Sequence, residues 1–321
     1  MLFTNQIEKI YRKSLYVRND NAGGIFYFGP DDFPGLQAHA YSFLARAGHG
    51  LRGYFYHYGP TAPGRLIVFD HGMGNGHRAY MREIEQLARM GYLVFSYDHT
   101  GCMESGGDST NGFAQSLSDL DACICALKGE AALRDRAISV VGHSWGGFST
   151  MNIVALHPEI THVVSMAGFI SVGQMLRQTF GGPMKGYCKE MFALEQIANP
   201  DYVNYNAVES LSKTDAKVLL IYSDDDSVIS RKFHFDPLSD GLAGRENIRF
   251  LLVGGKDHNP SYAVDAIRYK KAFFTAYKKA QKQGLLASAQ QQKEFMSRYD
   301  WHRMTEQDPV VWEVIENHLA K

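Results

Sequence analysis

Short apolar runs alternate with amphipathic stretches through the middle of the chain. Residues 66–69 (Leu66-Ile67-Val68-Phe69) contain no polar side chain, the pattern of a strand buried on both faces. Runs at 92–97, 137–141, 163–166, 218–222 and 248–253 have strand length and similar character. Between the first two, residues 77–90 place Tyr80, Ile84, Leu87 and Ala88 on one helical face, and Gly91 ends the pattern. Residues 113–127 and 148–156 are also helical in pattern. The order strand, helix, strand, helix predicts an α/β class fold with a mostly parallel sheet of about eight strands and helices on both faces. Upstream, residues 40–45 and 51–58 flank Gly48-His49-Gly50 and read as a hairpin. Residues 19–24 and 59–64 read as turns. Residues 1–16 carry a loose helical pattern.

The rhythm breaks after residue 168. A stretch of about 45 residues is too long for a loop and too irregular for one helix. Residues 171–179 and 188–198 have helical patterns, with Gly181-Gly182-Pro183 between them. This predicts a small helical cap insertion, about 169–213, over the end of the sheet. Met175, Leu176, Phe180, Met184, Met191 and Phe192 either face the site or pack the cap down, and packing is the commoner use of such residues. A helix over 261–282 closes the domain. Residues 283–294 are rich in Gln and Ala and weakly patterned, and 310–319 form a final helix. The expectation is a single domain, 1–321, with an N-terminal extension over 1–24 and a C-terminal helical extension over 283–321.

Composition adds exclusions. With 33 Lys and Arg against 34 Asp and Glu, the net charge of −1 favours neither nucleic acid nor an anionic membrane as partner. No apolar stretch has the length to span a bilayer. Charged residues interrupt the first 18 positions, so no secretory signal is expected and a cytoplasmic location is. Cys102, Cys123, Cys125 and Cys188 fit neither zinc spacing nor a disulfide framework and are expected as reduced thiols.

The chemistry centres on Val140-Val141-Gly142-His143-Ser144-Trp145-Gly146-Gly147, a Gly-x-Ser-x-Gly between an apolar strand and a helix. Such a turn lifts the serine hydroxyl above the sheet and aims the first helical N–H groups at it. A serine nucleophile needs a base, and the base an orienting acid. Loops after parallel strands meet on one side of the sheet, so His258, after the last strand, is the candidate base. His143 is expected to point away from Ser144, and His71, His99, His157 and His162 are less well placed. For the acid, Asp224, Asp225 and Asp226 follow the preceding strand, and Asp257 is a weaker rival. His71-Gly72-Met73-Gly74 allows close backbone approach after the first buried strand. The N–H of Met73 and the N–H of Trp145 are therefore assigned to an oxyanion hole, with a plain tight turn as the alternative. The glycine spacing matches neither a dinucleotide fingerprint nor a phosphate loop.

Over residues 51–279 these segments together resemble the α/β-hydrolase superfamily, and within it serine hydrolases related to monoglyceride lipases and bacterial carboxylesterases. The order Ser144, Asp226, His258 is that family's order. Its Gly-x-x-Asp-x-x-Val acid pattern is similar to Ser223 through Ile229, with Ser223 in place of Gly and Ile229 in place of Val. The resemblance favours Asp226 over Asp225. Tyr97-Asp98-x-x-Gly101-x-x-x-Ser105 is similar to the family's loop near the oxyanion strand, with Met103 where a second Gly is expected. The aspartate nucleophile of dehalogenases and epoxide hydrolases is replaced by Ser144. The resemblance implies a serine esterase without cofactor or metal. It would act on a small-molecule ester through an acyl-enzyme, and the Met, Phe and Leu residues of the expected cap suit a medium, apolar acyl group. Acyl transfer, amide or peptide hydrolysis, and a non-catalytic binding role stay open, and the oligomeric state is not legible.

Overall fold

The computed structural model describes residues 2–20, 24–61, 64–74 and 76–320. Parts of the turns expected at 19–24 and 59–64 lie outside the described residues, as does Asn75. In chain order the regular elements are α1 (Leu2–Leu15), β1 (Leu36–Leu44), β2 (Gly50–Tyr58), β3 (Arg65–Asp70), α2 (Met81–Arg89), β4 (Leu93–Tyr97), α3 (Gln115–Gly129), β5 (Ala137–His143), α4 (Trp145–Asn152), β6 (His162–Met166), α5 (Val172–Thr179), α6 (Cys188–Ala198), α7 (Ala207–Ser212), β7 (Lys217–Ser223), α8 (Phe235–Gly241), β8 (Ile248–Val253), α9 (Val264–Lys282), α10 (Ala289–Met296), α11 (Trp301–Met304) and α12 (Pro309–Leu319). One turn of 3-10 helix, His77–Tyr80, leads into α2, so the helix expected from residue 77 begins tighter than an α-helix.

The eight strands form one sheet in the order β1-β2-β4-β3-β5-β6-β7-β8. β1 pairs antiparallel with β2, and β2 with β4; the remaining pairs are parallel. The apolar strands are explained by the two faces they serve. Along β3, Leu66 and Val68 join a core with α3 and α4, whereas Ile67 and Phe69 join a second core with α2 and α12. Alternate side chains of a strand point to opposite faces, so a strand covered on both sides favours apolar residues throughout. On the second face, Ile84, Leu87 and Ala88 of α2 meet Val311, Trp312, Ile315 and Leu319 of α12. The C-terminal segment is therefore part of the sheet's own core.

Between β6 and β7 lie α5, α6 and α7. Leu176, Phe180 and Met191 are buried in the α3/α4 core, Met175 and Phe192 are partly buried against it, and Met184 is exposed. These side chains pack their segment down. The N-terminal helix is tied to the same place. Tyr11 packs against Phe113 and Phe180 with ring centroids at 6.5 and 6.0 Å. Its hydroxyl donates to Glu195 Oε1 at 2.7 Å, while the Phe113 N–H donates to Glu195 Oε2 at 2.7 Å. One buried carboxylate thus joins α1, α6 and the chain entering α3. No helix among the described residues is long and apolar enough to cross a membrane.

Candidate active site

Ser144 sits in the sharp turn between β5 and α4, with φ 58° and ψ −109°. A non-glycine residue adopts positive φ only where its surroundings hold it there. The flanking glycines are what allow this turn. A Cβ on Gly142 would lie 2.3 Å from the Gly146 carbonyl oxygen, and one on Gly146 would lie 2.0 Å from the Asp70 carbonyl oxygen. Both contacts are with backbone, so the helix can approach β3 and β5 this closely only without side chains.

The structure brings three of the expected residues together. His258 Nε2 lies 2.9 Å from Ser144 Oγ. His258 Nδ1 lies 2.9 Å from Asp226 Oδ2 and 3.2 Å from its Oδ1. The Asp226 carboxylate is fully buried. Its Oδ1 also accepts from the N–H groups of Val228 and Ile229, both at 2.8 Å, which fixes its direction. The neighbouring acids do other work. Asp225 Oδ1 accepts from the N–H groups of Lys256 and Asp257 at 3.1 Å and so holds the loop carrying His258. Asp257, at φ 51°, turns away and bonds Ser227 and Lys271. An imidazole held in this way can accept the serine proton while the carboxylate stabilises the imidazolium.

Met73 lines the cavity beside Ser144, and Trp145 is the first residue of α4, where helical N–H groups have no intrahelical acceptor. The Trp145 indole donates to the Phe113 carbonyl at 2.6 Å, anchoring that end of the helix.

His143 does not behave as expected. Its ring faces the site, with its centroid 4.7 Å from that of His258, and it lines the same cavity. Its Nε2 donates to the His258 carbonyl at 2.6 Å, and its Nδ1 accepts from the Tyr80 hydroxyl at 3.0 Å. Burial, then the neighbouring His258, push its pKa well below the ordinary value, so it is neutral. The Tyr80 oxygen also packs closely against Gly72. A Cβ on Gly72 would stand 2.3 Å from that oxygen, which accounts for the glycine. The loop after β3, the elbow and the His258 loop are therefore joined through Tyr80 and His143. Neither partner's position is readable from local pattern.

A second buried network lies beneath. His99 Nε2 is 2.9 Å from Asp70 Oδ1, and its Nδ1 is 3.2 Å from Asp119 Oδ2. Burial opposes a charge on His99, but Asp70 and Asp119 outweigh it and raise its pKa to about 9. The imidazolium joins the end of β3 to α3, and Ser149 of α4 donates to the other Asp70 oxygen. His71 Nε2 accepts from the His99 N–H at 3.0 Å. In the next loop, Met103 takes φ 43°, so it adopts the left-handed conformation that glycine favours rather than rerouting the chain.

The cavity at Ser144 has a volume of about 370 Å³. Its apolar wall comes from Ile25, Phe26, Met73, Val228, Phe274, Trp301 and Met304. None of the residues singled out between β6 and β7 lines it. The chain segments before β1 and at α11 do, and the sequence reading did not place them there. Among the described residues one group of metal-ligating types lies close together, Asp121, Cys125 and His157. The Arg46 guanidinium and the Tyr202 hydroxyl already occupy that carboxylate, which makes it a structural knot away from Ser144.

Comparison with known proteins agrees with this architecture. The family model described as serine aminopeptidase, S33, matches residues 61–247, more than half of the chain. A search of curated protein sequences gives no significant match. Among solved structures, the Pyrococcus furiosus esterase Pf2001 superposes with a TM-score of 0.59 at 17% identity, covering 82% of this chain and 98% of that one. A dienelactone hydrolase, so described with reservation, from Klebsiella pneumoniae gives 0.51 at 17% identity, covering 82% and 99%. The esterase domain of a Rhodothermus marinus protein gives 0.50 at 17% identity, covering 77% and 98%. At such identities the likeness is one of fold. With its eight-stranded sheet and the match over residues 61–247, the chain belongs to the serine aminopeptidase S33 family of the α/β-hydrolase superfamily.

Proposed function

We propose that this protein is a serine esterase that cleaves small carboxylic esters through an acyl-enzyme on Ser144. The observation that carries the reading is the unbroken chain from Ser144 Oγ through His258 to the buried Asp226 carboxylate, at the wall of a largely apolar cavity. In this reading His258 takes the Ser144 proton as Oγ attacks the ester carbonyl. The N–H groups of Met73 and Trp145 receive the developing oxyanion. His258 then returns the proton to the leaving alcohol, and water repeats the sequence to free the acid. Asp226 is the acid in preference to Asp225, whose carboxylate is spent on the loop backbone. The lining favours a medium acyl group with a mainly apolar chain.

The family's peptidase name raises a second reading, hydrolysis at a free amino terminus. Recognising an ammonium is served by an acid in the pocket, and no Asp or Glu is among the described residues lining this one. That supports the ester reading. Acyl transfer would use the same machinery and differs only in the acceptor. Hydrolysis of p-nitrophenyl esters by the wild type, lost in Ser144→Ala, is the expected outcome. Undiminished hydrolysis by Ser144→Ala would overturn the assignment.

A further inference from the structure

Among the described residues, the cavity at Ser144 has one lysine on its wall, and the proposed ester chemistry does not use it. Lys270 of α9 lines its wall, half-buried. Its Nζ donates to Asn259 Oδ1 at 3.1 Å and lies 5.1 Å from the centroid of the Tyr262 ring. An ammonium has three protons to place, and these contacts place one in a full hydrogen bond. Two acids act on it at longer range, Asp257 and Glu83. Asp257 is paired with Lys271 at 3.0 Å. Glu83 is buried with its Oε2 unpartnered, and burial raises its carboxyl to about 7, against the pull of Lys270, so it is a weak counter-charge. Burial also lowers the pKa of Lys270 itself, against the pull of Glu83 and Asp257, the sign of an ammonium short of solvent. A cation in that state gains most from an anion that enters the cavity.

We propose that the acyl chain of the substrate ends in a carboxylate, which pairs with Lys270 and the Asn259 amide while the chain between lies against Phe26, Phe274 and Trp301. The inference rests on the esterase reading and narrows its substrate class to half-esters of dicarboxylic acids, apolar in the middle and anionic at the far end. The bonds change as in any ester. Ser144 Oγ bonds to the carbonyl carbon, the alcohol leaves with the proton returned by His258, and water then releases the free dicarboxylic acid.

The test compares p-nitrophenyl half-esters of succinic to suberic acid with neutral p-nitrophenyl esters of the same chain length. For the best length, the ratio of kcat/KM, half-ester over neutral, is expected to exceed tenfold in the wild type. It is expected to fall close to one in Lys270→Met and Lys270→Gln. The ratio is independent of how much of each variant folds. A wild-type ratio near one at every length, or a ratio the substitutions leave unchanged, would overturn the proposal. Binding separates its failure from that of the esterase reading. In Ser144→Ala, calorimetry should show adipic acid monoamide bound at least tenfold tighter than hexanamide, with the difference abolished by adding Lys270→Met. Carboxylate binding without turnover of any ester would sink the esterase reading alone. Turnover of neutral esters without Lys270-dependent selectivity would sink the carboxylate site alone.

Discussion

Three consecutive aspartates after β7 illustrate how much a single residue's position decides. Asp226 reaches His258 and is fully buried, while Asp225, one residue earlier, points at the backbone of the loop that carries His258. Asp226→Asn is therefore expected to lower kcat by about 10³–10⁴-fold, because the imidazole loses both its orientation and the counter-charge for the imidazolium. Asp225→Asn should cost at most about tenfold, since an amide oxygen can still accept from the loop N–H groups. Equal losses in steady-state kinetics would contradict this division of roles. Tyr80→Phe removes the hydroxyl that donates to His143 Nδ1. With the buried His143 Nδ1 left unpaired, about 1–3 kcal/mol of stability should be lost in denaturant titration. The expected kinetic effect is a fall in kcat of about tenfold with KM little changed, as the loop and His258 lose their common support.

At the level of elements, local pattern was a good guide wherever an element's burial follows from its own sequence. The six strands from β3 to β8 fall where largely apolar runs stand, because a strand covered on both faces favours apolar residues. Gly142, Ser144 and Gly146 mark the elbow for the same reason, since only that spacing permits backbone contact on both sides. Gly146→Ala should accordingly cost about 3 kcal/mol or more in stability, as its Cβ would overlap the Asp70 carbonyl and push α4 off β3. A melting temperature equal to the wild type's would show that the helix can shift freely. Pattern failed where the contact joins distant parts of the chain. Phe26, Trp301 and Met304 line the cavity from opposite ends of the sequence, and no local periodicity announces such a meeting. The apolar residues of α5 and α6 face the core instead, recruited by α3 and the N-terminal helix. His143 was misplaced because its direction depends on Tyr80 and on the His258 carbonyl, 63 and 115 residues away.

Across the whole molecule, the histidines set the response to pH. Burial depresses His71 to about 3 and His162, His234 and His318 to about 4, and places His143 well below its ordinary value. In the unfolded chain each takes a proton near pH 6.5. Groups depressed in this way contribute stability that is present above about pH 6.5 and is lost as pH falls toward the folded values. His99 has the opposite sign. Raised to about 9, it contributes stability below about pH 6.5 that is lost as pH rises through 9. The protein should therefore be most resistant to denaturant near pH 6.5, with the His99 contribution declining from there toward pH 9. On the acid side its stability should fall steeply from pH 6.5 to 4. A His99→Gln variant should lose the decline on the alkaline side and keep the acid one. A flat profile of unfolding free energy from pH 4 to 7 would contradict the burial of these imidazoles as neutral groups.

The most direct test of the central claim, an activated Ser144, is labelling with a fluorophosphonate, wild type beside Ser144→Ala. Such a probe bonds to a serine whose proton has a base to receive it. Rapid stoichiometric labelling of the wild type, with none in Ser144→Ala, is the predicted result. A folded wild-type protein that takes up no label, or a Ser144→Ala variant labelled as well as the wild type, would contradict it.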